Sequence, residues 1–267
     1  MTPRPDGTAD GPAVATSPAP ALRLDGVDAG YGAFRALFDL SLEVDAGSAV
    51  ALVGANGAGK STVARVATGL VEPTAGRVLV DGDDFTGAPV HRFARAGIAT
   101  APEGRGVFAT LSVQDNLRVA FRNSPGVSDA EAALGEALDM FPRLKDRSNQ
   151  LAGTLSGGEQ RMLTLARVLV VHPRLLVADE LSLGLAPLVT AEVYRTLERV
   201  RETGCALLVV EQHLDHALQL ADEVVVIQKG EVTFRGTPSE ARSLDGEILL
   251  PAGNPSAGAS DDDGDAP

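Results

Sequence analysis

The feature that most constrains this chain is a glycine-rich stretch between an apolar run and a helical pattern. Residues 54–61 read GANGAGKS, follow the apolar residues 49–53, and precede apolar side chains at helical spacing. A strand, a glycine loop and a helix in this order predict a phosphate-binding loop, whose backbone N–H groups surround a di- or triphosphate. The residues predicted to hold the nucleotide here are Gly54, Ala55, Asn56, Gly57, Ala58, Gly59, Lys60, Ser61 and Thr62.

Each polar residue of this loop has a chemical role in the prediction. Lys60 reaches the terminal phosphates, where it also serves catalysis, and the Ser61 hydroxyl is a ligand for Mg2+. A helix that begins at Gly59 directs its positive end toward the phosphates. The alternative is a glycine-rich turn with an incidental lysine. Motifs elsewhere in the chain are needed to distinguish the two interpretations.

Composition and charge set limits on the class of protein. Of the 267 residues, 44% are hydrophobic and 22% are charged, which is typical of a soluble globular protein. No apolar run approaches the roughly 20 residues that cross a bilayer, and the first 19 residues do not read as a signal peptide, so we expect a cytoplasmic protein. The net charge is −13 and most of it lies between the terminal tails, which argues against a nucleic-acid partner.

The apolar patterns predict an α/β fold. Residues 1–20 and 251–267 are rich in small, polar or acidic residues, and we predict that both are disordered tails. Residues 21–250 form the predicted domain, in which antiparallel strands lie beside a mixed central sheet with parallel strands at 175–178 and 206–210. Residues 105–160 read as a helical insert, with a capping box at Ser128 and Glu131. The single cysteine, Cys205, lies in an apolar run and is expected to be buried.

Two carboxylates end the apolar run 175–178. At the carboxyl end of a central strand, Asp179 would lie beside the phosphate loop and hold the Mg2+ shell. Glu180 faces the other way and could polarise an attacking water as a general base. A solvated acidic pair is the alternative, but together with the phosphate loop the pair favours ATP hydrolysis.

A second glycine-rich helix start, residues 155–160 with the sequence LSGGEQ, precedes this strand. The order of phosphate loop, LSGGEQ and two-carboxylate strand resembles the ABC ATPase family over about residues 21–240. The resemblance implies an ABC ATPase domain with a helical subdomain. It also implies a head-to-tail dimer, in which Ser156, Gly157 and Gly158 of one subunit close on the nucleotide bound by the other.

Within that family the chain looks like the ATPase subunits of branched-chain amino acid importers, on the segments 102–105, 149–160, 182–187 and 210–212. Tyr31 matches the aromatic residue that stacks on adenine, although a plain core or surface tyrosine is the alternative. Glu103 stands where most members have a glutamine and is implied as a ligand for Mg2+ or water. The position that senses the terminal phosphate falls on Gln212, with His213 as the alternative.

The resemblance therefore implies an ATPase that energises the uptake of branched-chain amino acids. It would lie peripherally at the cytoplasmic face of the cell membrane. Its partners are a second ATPase chain, identical or related, a transmembrane permease and, indirectly, a substrate-binding protein. The apolar residues 107–111 are expected to contribute to the groove for the permease. Uptake of urea, an amide or another small solute stays open, as do a soluble ABC ATPase and a scaffold without turnover.

Overall fold

The computed structural model describes residues 19–102, 106–122, 124, 127–212 and 214–243. The predicted terminal tails lie almost wholly outside these ranges, and Glu103 and His213 also lie outside them. The bounds predicted for the domain and its helical insert stay predictions. Among the helices that the structure describes, none has the length and apolar character needed to cross a bilayer.

A six-stranded mixed sheet forms the centre of the fold, in the order β10-β9-β3-β8-β7-β6. Five of its strands run parallel, and β10 pairs antiparallel with β9 at one edge. Every residue of β3, β7 and β8 is buried, which explains why these strands read as continuous apolar runs. The strands are β3 (Ala49–Val53), β6 (Ile98–Ala101), β7 (Leu175–Asp179), β8 (Ala206–Glu211), β9 (Glu223–Gln228) and β10 (Glu231–Gly236).

A four-stranded antiparallel sheet, in the order β2-β1-β4-β5, packs beside the central sheet. Its strands are β1 (Leu22–Tyr31), β2 (Phe34–Val44), β4 (Ala75–Val80) and β5 (Asp83–Asp84). Asp81 and Gly82 connect β4 to β5 with positive φ angles of 51° and 86°, the conformation that an Asp-Gly pair favours in a tight turn between antiparallel strands. The predicted antiparallel layer is therefore present.

Helices cover both faces of the central sheet. They are α1 (Lys60–Ala67), α2 (Val90–Arg95), α3 (Val113–Arg122), α4 (Ala130–Met140), α5 (Pro142–Lys145), α6 (Gly157–Leu169), α7 (Pro187–Glu202), α8 (Leu214–Leu220) and α9 (Pro238–Ser243). Leu176 and Leu207 point into a core built largely by α3 to α7. Leu175 and Leu208 point into the opposite core, with α1 and the antiparallel sheet. This alternation fixes the register, since a slip by one residue would exchange the two faces.

Two local expectations can be compared with the structure. The cap of α4 is Asp129, whose side chain accepts from the backbone N–H groups of Glu131 and Ala132, so the capping box predicted at Ser128 is wrong. Both residue types favour helix caps, and the sequence alone does not choose between neighbours. Cys205 is buried as expected, and burial raises the pKa of its thiol to about 11.

Candidate active site

The carboxyl ends of three neighbouring parallel strands meet at one edge of the central sheet. The register places Val53 of β3 opposite Glu211 of β8, and Asp179 of β7 opposite Val210. Polar residues that follow these strands are therefore brought together although they are far apart in sequence. In an open parallel sheet this edge is where ligands bind.

The phosphate loop, residues 54–59, is tightly packed between β3 and α1. A Cβ at Gly54 would lie 2.4 Å from the carbonyl oxygen of Ile227, and a Cβ at Gly59 would lie 2.9 Å from the Leu37 side chain. Gly59 also has a φ of +108°, a conformation that side chains disfavour. Only glycine fits these two positions. Helix α1 begins directly after them without a side-chain cap, so its positive end faces the loop.

Lys60 and Glu180 form a buried ion pair across this edge. The Lys60 Nζ lies 3.4 Å from the Glu180 Oε1 and donates to the carbonyl oxygen of Ala55 at 3.3 Å. The two residues are only 4% and 8% exposed. At such burial each charge needs the other, because an unpaired buried charge is costly. The structure thus brings the predicted lysine and the predicted general base into direct contact.

Glu180 has a backbone conformation that is rare for a residue with a side chain. Its φ is +47°, in the left-handed region, while its N–H donates to the carbonyl oxygen of Val210 at 2.9 Å. Arg161, buried on α6, donates to the carbonyl oxygens of Glu180 at 3.3 Å and Pro102 at 3.1 Å. Strained residues of this kind cluster at functional sites and persist only where their surroundings fix them. No local pattern marks Arg161, since its partners are distant along the chain.

Two aromatic residues end the β1-β2 hairpin beside the phosphate loop. Tyr31 and Phe34 pair across the hairpin, and both line the same cleft of about 430 Å³ as Asn56, Lys60 and Gln212. Phe34 is 70% exposed, which is unusual for so large an apolar side chain. No role for Phe34 is predicted from the sequence.

The hydroxyl group of Tyr31 is held by the helix that follows the phosphate loop. Arg65 of α1 donates to this oxygen at 2.9 Å, and the Thr62 hydroxyl lies 3.5 Å from it. The ring itself remains partly exposed. Tyr31 therefore lines the cleft with a fixed hydroxyl group and a partly exposed ring.

The oxygen donors near the loop suit a hard cation. Ser61 lies on the first turn of α1 and lines the cleft, and Asp179 ends β7 one residue before Glu180. A hydroxyl and a carboxylate are ligands that Mg2+ accepts, with phosphate oxygens and water completing its octahedron. These two residues fit the ion. Glu103, the third predicted ligand, is outside the described residues.

The signature turn, residues 155–160, lies apart from the phosphate cleft of the same chain. Ser156 caps α6: its Oγ accepts from the Glu159 N–H at 3.3 Å, and the Glu159 carboxylate accepts from the Ser156 N–H at 2.9 Å. Ser156 and Gly158 line a different cleft, against α7. Burial alone would raise the pKa of Glu159, but hydrogen bonds from Ser156 and the charge of Arg147 keep that pKa below its ordinary value.

Of the two candidate phosphate sensors, the structure describes Gln212. It follows β8 directly, is half-buried and lines the cleft with Lys60 and Glu180. His213 is outside the described residues. Glu211, which was not singled out, is buried between Ser182 and Tyr194.

Comparison with known proteins identifies the family of this chain. A family model described as ABC transporter matches residues 37–182. The chain is 40% identical over 218 residues to the high-affinity branched-chain amino acid transport ATP-binding protein BraG of Pseudomonas aeruginosa, a match that covers 81% of this chain and 92% of BraG. Identity is 34% over 220 residues to a protein of Archaeoglobus fulgidus named as a probable branched-chain amino acid transport ATP-binding protein LivF, covering 82% and 93%.

The fold comparison gives the same result. A solved structure of an ATP-binding subunit of an ABC transporter matches with a TM-score of 0.74 at 30% identity, covering 85% of this chain and 94% of that one. The match confirms the α/β fold with a mixed sheet and an antiparallel sheet.

Proposed function

The chain belongs to the ABC transporter family of ATP-binding, ATP-hydrolysing proteins, and from that premise we propose that it energises branched-chain amino acid uptake through a separate permease. The observation that carries the catalytic part is the convergence of Lys60, Glu180 and Gln212 on the cleft beside the phosphate loop. The assignment of the transported solute rests on the similarity to BraG. In the proposed importer the solute passes through the permease, so this chain needs no residue that contacts it.

In the proposed reaction the loop and Lys60 hold the phosphates of ATP while Tyr31 stacks on the adenine. Backbone N–H groups, the end of α1 and the Lys60 ammonium stabilise the negative charge of the transferred group. Bound Mg2+, held by Ser61, Asp179 and Glu103, would neutralise further phosphate charge. The nucleotide thereby lies with its terminal phosphate between Lys60 and the end of β7.

Glu180 acts on the water. Its carboxylate orients a water molecule toward the terminal phosphorus and accepts a proton from it, as the bond from phosphorus to the bridging oxygen breaks and ADP leaves. Gln212, the residue after β8, or His213 in the alternative, contacts the terminal phosphate. The strained turn at Glu180 aims the carboxylate into the cleft beside Lys60.

Dimerisation completes each site in the proposal. Ser156, Gly157 and Gly158 line no part of their own phosphate cleft, as expected if they serve the nucleotide of a second ATPase subunit, identical or related. A two-fold pair of chains forms two such shared sites. ATP then closes the dimer, and its hydrolysis opens the dimer again.

An apolar groove on this chain is the proposed binding surface for the permease. An apolar groove runs between α2 and α6, and among its lining residues are Leu70, which is 57% exposed, Val90 and Val171. Phe108, within the predicted segment 107–111, lies beside it, since Arg167 both lines the groove and stacks on the Phe108 ring at 5.1 Å. We propose that a cytoplasmic helix of the permease packs here, which would place the chain peripherally at the cytoplasmic face of the membrane.

The catalytic proposal is tested with Glu180→Gln, which keeps the size of the side chain and removes its charge. Hydrolysis is expected to fall at least ~100-fold while ATP binding persists, and an ATP-bound dimer should accumulate in gel filtration. Glu198→Gln, on the exposed face of α7, is the control and should hydrolyse ATP at the parental rate. Parental turnover in Glu180→Gln would overturn the base assignment.

The cargo is tested by reconstituting the chain with its permease and binding protein in proteoliposomes. Labelled leucine is expected to enter on addition of ATP, and Glu180→Gln should abolish that uptake. Uptake of urea or an amide in place of leucine would assign the other small-solute class. ATP hydrolysis without association with any permease would instead favour a soluble ABC ATPase.

A further inference from the structure

Glu211, at the last position of β8, is a buried carboxylate that the proposed reaction does not use. It is only 2% exposed and directly precedes Gln212. A buried carboxylate is tolerated only where hydrogen bonds replace its lost water. Its partners therefore indicate what it contributes.

Both carboxylate oxygens of Glu211 accept hydrogen bonds. Oε1 accepts from the Ser182 N–H at 3.2 Å and from the Tyr194 hydroxyl at 3.0 Å, and Oε2 accepts from the Ser182 hydroxyl at 2.8 Å. Burial, followed by the charge and hydrogen bond of Glu211, raises the pKa of Tyr194 above its usual range. Tyr194 therefore remains a donor at any physiological pH.

These partners lie on both sides of the loop that follows Glu180. Ser182 is two residues after Glu180, and Tyr194 lies on α7, the helix into which the loop leads. The carbonyl oxygen of Val210, the residue before Glu211, accepts from the Glu180 N–H. The end of β8 thus fixes the chain at Glu180, again at Ser182, and once more through α7.

From these contacts we infer that Glu211 is a positioning residue for ATP hydrolysis, which holds the Glu180 turn and Gln212 as one rigid unit around the terminal phosphate. The left-handed conformation of Glu180 requires such support, because it persists only where its surroundings fix it. A small displacement of a catalytic group is enough to cost about 100-fold in rate. The inference rests on the proposed role of Glu180.

The test separates turnover from nucleotide binding. Glu211→Gln keeps the size of the side chain but replaces one carboxylate oxygen with an amide nitrogen. That nitrogen cannot accept a hydrogen bond from the Ser182 or Tyr194 donors that face it. Ser182→Ala removes one donor. Both variants are expected to lower kcat by ~10- to 100-fold, with the Kd for ATP within about twofold of the parent, and Ser182→Thr should restore most of kcat.

Matched variants keep the result interpretable. Thr196→Val removes another buried hydroxyl of α7, whose hydrogen bond is to Glu192 of its own helix, and should leave kcat unchanged. The double variant Ser182→Ala, Glu211→Gln should lose little more than the worse single variant, because both break one network. If Glu211→Gln does not fold, Ser182→Ala and its rescue by Ser182→Thr decide the question alone.

Three outcomes overturn the inference: parental kcat in Ser182→Ala and Glu211→Gln, additive losses in the double variant, or equal losses of kcat and ATP affinity. Glu180→Gln, measured in the same assay, keeps this separate from the proposed function. If Glu180→Gln is inactive while the Glu211 and Ser182 variants turn over normally, only the positioning role fails. If Glu180→Gln is fully active, the general base itself was assigned wrongly.

Discussion

The phosphate loop and the signature turn are both glycine-rich starts of helices, yet they are built differently. Helix α1 has no side-chain cap and begins after a glycine in the left-handed conformation. Helix α6 is capped by its own residues, since Ser156 and Glu159 satisfy each other. The first helix start has no side-chain acceptor for its N–H groups, whereas the second carries both hydrogen bonds of a capping box.

The phosphate loop and the signature turn also differ in how closely their glycines are packed. The glycines at 54 and 59 are enclosed by Ile227 and Leu37, whereas a Cβ at Gly157 would meet no described atom within 4 Å outside its own helix. The two ends of the phosphate loop are therefore held by packing within one chain, while a Cβ at Gly57 between them would meet no described atom within 4 Å. The signature turn presents an open face, which suits a site completed by contact with a second subunit.

The largest expected effect tests the enclosed region. In Lys60→Ala the terminal phosphates lose their ammonium partner, and Glu180 is left as a buried charge. ATP hydrolysis is expected to fall at least ~100-fold, and the free energy of unfolding should fall by about 3 kcal/mol or more. Steady-state turnover and urea unfolding measure the two effects.

Lys145→Ala is the matched control for that variant, because the Lys145–Asp139 ion pair is shorter, at 2.7 Å, but exposed. Exposed pairs contribute little, so this control should keep parental turnover and stability. If Lys60→Ala and Lys145→Ala lost equal amounts of turnover and stability, the buried ion pair would contribute no more than an exposed one.

The next effect distinguishes two neighbouring glycines of the signature turn. A Cβ at Gly158 would lie 2.6 Å from the Val189 side chain, so Gly158→Ala should lower the free energy of unfolding by roughly 1–3 kcal/mol. Gly157→Ala meets no such clash and should leave stability nearly unchanged. If the open face meets the nucleotide of the partner, Gly157→Ala should still lose ATPase activity. Full activity in that variant would exclude Gly157 from a shared site.

Much of the fold could be predicted because burial leaves a direct trace in sequence. The continuous apolar runs of β7 and β8 and the turn at Asp81 and Gly82 each follow from local chemistry. Errors arose where two neighbours suit one role, as at Ser128 and Asp129. Phe34 at the hairpin end has no burial pattern to mark it because it is exposed, and Tyr31 is identified only through the family resemblance.

The site was predictable only in its local parts. Residues 54–61 and the pair Asp179 and Glu180 follow strands directly, so the strand ends place them. The hydrogen-bond partners of Arg161 are 19 and 59 residues away along the chain. Those of Glu211 are 17 and 29 residues away. Such contacts depend on how α6, α7 and β8 pack together, which no local spacing encodes.

The smallest expected effect concerns the cap of the signature turn. The pKa of Glu159 is lowered in the folded chain, so this carboxylate stabilises the fold above the ordinary glutamate pKa. That stability is lost as the pH falls through the folded-state pKa. The parent should be more stable than Glu159→Gln by about 1 kcal/mol at neutral pH, and this difference should shrink as the pH falls from neutral to below the ordinary glutamate pKa. Urea unfolding across that range measures it, with Glu198→Gln as control. A difference that does not change with pH would mean that the charge of Glu159 plays no part in the cap.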